Sequence, residues 1–86
     1  MMVTIRIIGT TPPCARCERA AREAAKAAER FPGQVEVLKI DALSEEAEAF
    51  GLLVTPGVAV GDELIASGKV VPADALAKRI QTLLGG

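Results

Sequence analysis

The sequence predicts an α/β fold with the element order β-α-β-α-β-β-α, arranged as a four-stranded mixed sheet flanked by three helices. Two observations predict this class. Apolar β-branched segments alternate with segments rich in helix-forming residues, and a tight-turn signal separates two short apolar runs in the second half of the chain. Half of the 86 residues are apolar, which is enough to close one core of this size. We therefore expect a single domain that spans residues 1–86.

The first strand and the first helix form the opening unit. The segment from Met2 to Ile8 is mostly apolar and β-branched, as is typical of a central strand covered on both faces. Thr10 to Pro13 cannot be helical, because two consecutive prolines restrict the residues before them. A helix is expected from Ala15 to about Arg30, where Ala, Glu, Lys and Arg dominate. Steps of three and four residues predict that its buried face consists of Cys17, Ala21, Ala24, Ala28 and Phe31.

A second strand and a short helix follow. Apolar and charged residues alternate from Val35 to Ile40, which predicts a strand. A strand, a helix and another strand indicate a right-handed parallel crossover. Ser44 and the two glutamates after it predict the N-cap and first turn of a short helix, which Gly51 ends directly after Phe50.

The last part of the chain predicts a hairpin and a third helix. The runs Pro56–Val60 and Glu63–Ala66 flank Gly61-Asp62, a dipeptide typical of a tight turn between antiparallel strands. Pro72 is expected at the first position of the last helix. The buried face of that helix is predicted to consist of Leu76, Ile80, Leu83 and Leu84.

Charge and composition exclude several functions. The first 34 residues carry six basic and three acidic side chains. This balance indicates a mildly positive surface around Cys14 and Cys17 rather than a surface that binds nucleic acid. Phe31 and Phe50 are the only aromatic residues, so no platform for stacking bases exists. No segment approaches the roughly 18 to 20 apolar residues of a membrane span, and the N-terminus lacks the pattern of a signal peptide. We expect a cytoplasmic protein with no nucleic-acid or membrane partner.

The two cysteines form a Cys-x-x-Cys pair at the predicted start of the first helix. A disulfide across four residues would constrain little of the unfolded chain, so a purely structural role is disfavoured. Cys14 lies where free N–H groups and the positive end of the helix dipole favour a thiolate, and Arg16 adds positive charge. We expect Cys14 to be the attacking nucleophile. Cys17 lies one turn further on, towards the alanine face, and is expected to be the resolving thiol.

A metal site is the main alternative for the same pair. The sequence has no histidine and no third cysteine, so zinc would need four thiolates shared by a dimer. Soft thiolates at this spacing also suit Cu(I), as in a copper chaperone. In this alternative Cys14 and Cys17 are the ligands, whereas the redox hypothesis needs no cofactor.

The second signal is Thr55-Pro56, a proline that opens an apolar strand. Combined with the Cys-x-x-Cys pair after the first strand, it makes the chain resemble the thioredoxin and glutaredoxin superfamily over essentially its whole length. The most similar group is the small glutaredoxin-like redox-active disulfide proteins of archaea and bacteria. The resemblance implies that Pro56 follows a cis peptide bond and borders Cys14, and that the backbone at Thr55 pairs with an extended substrate segment.

The resemblance also implies the class of partner. Protein disulfides would be the substrates, and a donor of the thioredoxin-reductase type or a low-molecular-weight thiol would supply electrons to a monomer. One difference from thioredoxins proper concerns Cys17. Thioredoxins have a buried acid in the preceding strand, where this chain has the apolar Ile8, so the sequence shows no proton relay for the resolving thiol. No glutathione-binding motif is recognisable after the hairpin.

Overall fold

Strands and helices follow one another along the chain in the predicted order. The computed structural model describes residues 2–10, 15–49, 55–61 and 63–85. Within these ranges the elements are β1 (Val3–Gly9), α1 (Ala15–Glu29), β2 (Val35–Asp41), α2 (Glu45–Ala49), β3 (Gly57–Val60), β4 (Glu63–Ser67) and α3 (Ala73–Leu83). The predicted α/β class and element order are confirmed.

The strands form one mixed sheet in the order β2-β1-β3-β4. β1 and β2 are parallel, with Ile5 opposite Val37, so the first helix is a crossover connection as predicted. β3 runs antiparallel to β1 and to β4, and a bulge lies between Val58 and Ala59. The predicted hairpin is confirmed. Gly61 follows β3 with a φ of 64°, a left-handed conformation that glycine adopts without strain, and Asp62 lies outside the described residues.

The two faces of the sheet carry different helices. Alternate residues of β1 join an apolar core with α1 and α3; from β1 these are Val3, Ile5 and Ile7. Arg6 points to the opposite face, where its Nε donates to Glu46 Oε2 of α2 at 2.8 Å. α2 therefore lies across the sheet from the other two helices. None of the helices in the described ranges combines the length and the apolar character that crossing a membrane requires.

The buried face of α1 differs in part from the prediction. Its buried residues are Cys17, Ala20, Ala24 and Ala27, whereas Ala21, Ala28 and Phe31 are only half-buried. Both sets follow the helical period, and alanine occupies both. Because alanines on neighbouring faces do not differ in size or polarity, the spacing could not decide which of them meets the sheet.

The start and the buried face of α3 also correct the prediction. Pro72 is the N-cap rather than the first helical residue, since its ψ of 151° is extended. Leu76 and Ile80 are fully buried as predicted, but Leu83 is 39% exposed. Leu83 is the last residue of the helix, and the next residue, Leu84, is half-buried against the core. Small residues, Ala73 and Ala77, complete the buried face instead.

A carboxylate of α1 caps α3. Pro72 has no side chain that could accept a hydrogen bond, and Glu23 Oε1 instead accepts the N–H of Ala73 at 2.9 Å. Glu23 Oε2 lies 3.1 Å from Lys26 Nζ. The backbone hydrogen bond, reinforced by Lys26, lowers the pKa of the Glu23 carboxyl from its ordinary value of 4.5. The contact joins the two helices that pack on the same face of the sheet.

The predicted cap of α2 is confirmed. Ser44 Oγ accepts the N–H of Ala47 at 3.2 Å and donates to the carbonyl of Asp41 at 2.6 Å. Ser44 thereby ties the start of α2 to the end of β2. The predicted end of this helix, at Phe50 and Gly51, lies outside the described residues.

Candidate functional site

The candidate site lies at the end of β1, where the first turn of α1 packs against the sheet. Cys17 is the third residue of α1 and is 3% exposed. Its side chain lies against Gly9, the last residue of β1, which is also buried. Cys17 is thus shielded from solvent, on the face of the helix that meets the sheet. Cys14, the expected nucleophile, lies outside the described residues.

A cavity of about 260 Å³ opens beside Cys17. Its walls come from the end of β1, the first half of α1 and the end of β2, and consist of Ile7, Gly9, Thr10, Cys17, Glu18, Ala21, Lys39, Ile40 and Asp41. Polar groups of both charges therefore line the approach to a buried thiol. One of them is held in place: Asp41 Oδ1 accepts the N–H of Leu43 at 2.9 Å.

Pro56 lies at the same end of the sheet. The Thr55–Pro56 peptide bond is cis, the geometry that the resemblance implies for this position. The Pro56 side chain is fully buried, and its carbonyl accepts the N–H of Gly68 at 2.8 Å. Ile8 pairs with Gly57, so the next positions along this register are Gly9 and Pro56. The structure therefore brings Pro56 to the end of β1 that contacts Cys17.

The other predicted site residues are less enclosed. Arg16 is exposed in the first turn of α1, and Thr55 is half-buried directly before the cis bond. Arg16 is thus on the solvent side of the helix that carries Cys17. Of the predicted set, the structure brings Cys17 and Pro56 to one end of the sheet, with Thr55 beside Pro56.

The described residues around Cys17 do not provide the further ligands that the alternative metal site would need. In the described part of the chain, no group of three or more histidine, cysteine, aspartate or glutamate side chains is placed to hold a metal ion. A site built on Cys17 within these ranges would lack the four donors that zinc requires.

Three residues around Cys17 are absent from the set predicted from the sequence: Gly9, Lys39 and Asp41. Lys39 and Asp41 could have been predicted from the alternation of β2. They lie on the same face of the strand as Val35 and Val37, which pack against the core beneath α1. The contact between Gly9 and Cys17 has no local signal, because it depends on how the helix seats on the sheet.

Comparison with known proteins identifies the family. The family model described as thioredoxin domain matches residues 3–81. A thioredoxin of Methanocaldococcus jannaschii is 33% identical over 86 residues, which cover all of this chain and 95% of that protein. The similarity in sequence therefore covers the whole of this chain.

Solved structures show the same fold. Chloroplastic thioredoxin z superposes with a TM-score of 0.77 at 22% identity, covering 99% of this chain and 80% of that one. The germline-specific thioredoxin Deadhead of Drosophila melanogaster gives 0.69 at 19% identity, with coverages of 95% and 81%. The oxidised thioredoxin of Plasmodium falciparum gives 0.66 at 18% identity, with coverages of 94% and 80%. With its fold and its whole length matched in this way, the chain belongs to the thioredoxin family and is, in general terms, a thiol-disulfide oxidoreductase.

Proposed function

We propose that this protein reduces protein disulfides through a two-step exchange at Cys14 and Cys17. The Cys14 thiolate attacks one sulfur of a substrate disulfide, forms a mixed disulfide and expels the other substrate sulfur as a thiolate. Cys17 then loses its proton and attacks Cys14. The Cys14–Cys17 disulfide forms, and the second substrate sulfur leaves as a thiolate that takes up a proton. The substrate gains two electrons, and the cysteine pair loses them.

The observation that carries this proposal is the burial of Cys17. A resolving thiol must react with the disulfide formed at the neighbouring cysteine and not with other disulfides in solution, and Cys17 is 3% exposed on the sheet side of α1. Cys14 directly precedes Ala15, the first residue of the described helix. A thiol at that position in the sequence is expected to be favoured as a thiolate by the N–H groups of the first turn. The exposed Arg16 adds positive charge to the same turn.

The segment Thr55-Pro56 supports a protein substrate. Thr55 is half-buried and lies two residues before β3, which begins at Gly57. An extended substrate segment that paired with its backbone would present a disulfide beside the end of β1. We propose that protein disulfides, rather than small thiols alone, are the substrates.

The cycle requires an electron donor. Each turnover leaves the pair oxidised, so a partner of the thioredoxin-reductase type or a low-molecular-weight thiol must restore the dithiol. We propose the cytoplasm as the compartment, because the thiol pool there keeps such a pair reduced. Both cysteines come from one chain, so we propose that a monomer completes the cycle.

Two matched serine variants test the proposed division of roles. Insulin and one stoichiometric donor such as dithiothreitol serve as substrate and reductant. We expect Cys14→Ser to abolish the acceleration of insulin reduction over the rate with dithiothreitol alone. In a second incubation without dithiothreitol, Cys17→Ser should accumulate a covalent complex with insulin chains, because the first step proceeds and the second cannot; dithiothreitol added afterwards should release it. Full turnover by either variant would contradict the mechanism. Wild-type protein that binds stoichiometric Cu(I) or zinc and reduces nothing would favour the metal alternative.

A further inference from the structure

Gly9 lies in β1 at a position where the backbone does not require glycine. A left-handed φ occurs at Gly33, Gly61, Gly68 and Gly85, whereas Gly9 continues an ordinary parallel ladder. It lies opposite Asp41, and its carbonyl accepts the N–H of Ala42 at 2.9 Å. Any L residue could adopt this conformation. The reason for a glycine must therefore lie in what a side chain would meet.

A side chain at this position would meet Cys17. A Cβ on Gly9 would lie 2.8 Å from Cys17 Sγ and 3.1 Å from Cys17 Cβ. The first distance is well inside the roughly 3.5–4.0 Å at which nonbonded heavy atoms attract. Rotation of the thiol about χ1 would move Sγ but not Cβ, which is fixed to the helix. An added methyl group would therefore displace the sulfur, the first turn of α1, or both.

We propose that Gly9 is a positioning residue of the redox pair: its missing side chain leaves the space in which the Cys17 sulfur sits for its attack on Cys14. This inference rests on the proposed function. Gly9 touches no substrate and acts only through Cys17, so it should matter in the second step of the cycle. The first step, in which Cys14 attacks, should be insensitive to it. A displacement of about 1 Å in a reacting group can cost about a hundredfold in rate.

The aromatic disulfide 5,5′-dithiobis(2-nitrobenzoate) separates the two steps. With one equivalent per reduced protein, attack by Cys14 releases one thionitrobenzoate and leaves the other bound as a mixed disulfide. Attack by Cys17 on Cys14 then releases the second thionitrobenzoate and closes the protein disulfide. Two absorbance phases of equal size follow, and a Cys17→Ser variant should give the first phase only.

For Gly9→Ala we expect the first phase within about twofold of wild type and the second at least about tenfold slower. Gly33→Ala is the matched control. It adds the same methyl group at a strained φ of +77°, where nothing lies within 4 Å of the new Cβ. Gly33 precedes β2 at the opposite end of the sheet, since Val35 pairs with Val3. The control should keep both phases even though it lowers stability.

Three results would overturn the role of Gly9: a second phase at the wild-type rate, equal slowing of both phases, or the same slowing in Gly33→Ala. If Gly9→Ala does not fold, the double variant Gly9→Ala/Cys17→Ala decides. Folding of the double variant attributes the clash to the sulfur and supports the inference, whereas its failure to fold overturns it. Failure of the proposed function is visible separately, because wild-type protein would then release fewer than two thionitrobenzoates.

Discussion

The packing of α3 is tested by a pair of identical substitutions at a buried and an exposed leucine. Leu76 has 0% exposure in the apolar core, and Leu43 is 93% exposed. Leu76→Ala removes three buried carbon atoms, which cost about 2.4 kcal/mol at about 0.8 kcal/mol each. The cavity left between α3 and the sheet raises the total towards about 3–5 kcal/mol. Leu43→Ala should stay within about 0.5 kcal/mol of wild type.

Urea unfolding measures both variants. The chain has no tryptophan or tyrosine, so the transition is followed by far-ultraviolet circular dichroism. The midpoint should fall for Leu76→Ala at an unchanged m value, and its Tm should fall by about 4–8 °C per kcal/mol. Free energies of unfolding for the two variants that agree within about 1 kcal/mol would refute the packing of α3 described above.

Two further predictions concern charges on α1. The lowered pKa of Glu23 means that its contact with the Ala73 N–H stabilises the fold above about pH 4.5 and is lost as the pH falls through the folded-state pKa. The free energy of unfolding of wild type should therefore exceed that of Glu23→Gln at pH 7, and this difference should become smaller in acid. Glu29→Gln is the control for the loss of one negative charge on α1. A difference between wild type and Glu23→Gln that does not change with pH would contradict the capping role of Glu23. Arg16→Glu should slow the alkylation of Cys14 at neutral pH by less than about tenfold, because a negative charge in the first turn disfavours the thiolate and Arg16 is exposed. Alkylation rates of wild type and variant measure this change, and faster alkylation of the variant would contradict it.

The strands could be predicted because their signals are local. β1 is mostly apolar and β-branched, and the Gly61 turn separates two short apolar runs. Neither of these two signals depends on distant parts of the chain. The order of the strands in the sheet is not local. Leu38 counts as an apolar strand residue in the sequence, yet it is 39% exposed. β2 lies at the edge of the sheet, and none of its residues is fully buried. Leu38 is therefore more exposed than its apolar side chain suggests.

Only the residues of the two sequence motifs, Cys14-x-x-Cys17 and Thr55-Pro56, could be predicted as part of the candidate site. The spacing of apolar residues predicts that Cys17 lies on the buried side of its helix, and Cys17 is buried there. The surroundings of its sulfur depend on contacts between elements. Glu23 caps a helix that begins 50 residues later, and Gly9 meets Cys17 only because the helix seats on the end of β1. Such contacts are set by packing, which no short window of sequence contains.

The central claim is that Cys14 and Cys17 exchange two electrons as one pair. It is tested most directly by equilibrating the wild-type protein in glutathione redox buffers and trapping its thiols by alkylation. We predict one transition with the slope of a two-electron couple: the ratio of dithiol to disulfide changes tenfold for each change of about 30 mV in the potential of the buffer. Peptide mass mapping should then find Cys14 bonded to Cys17 within one chain. Independent glutathionylation of the two thiols, or a bound metal with no redox transition, would contradict the account.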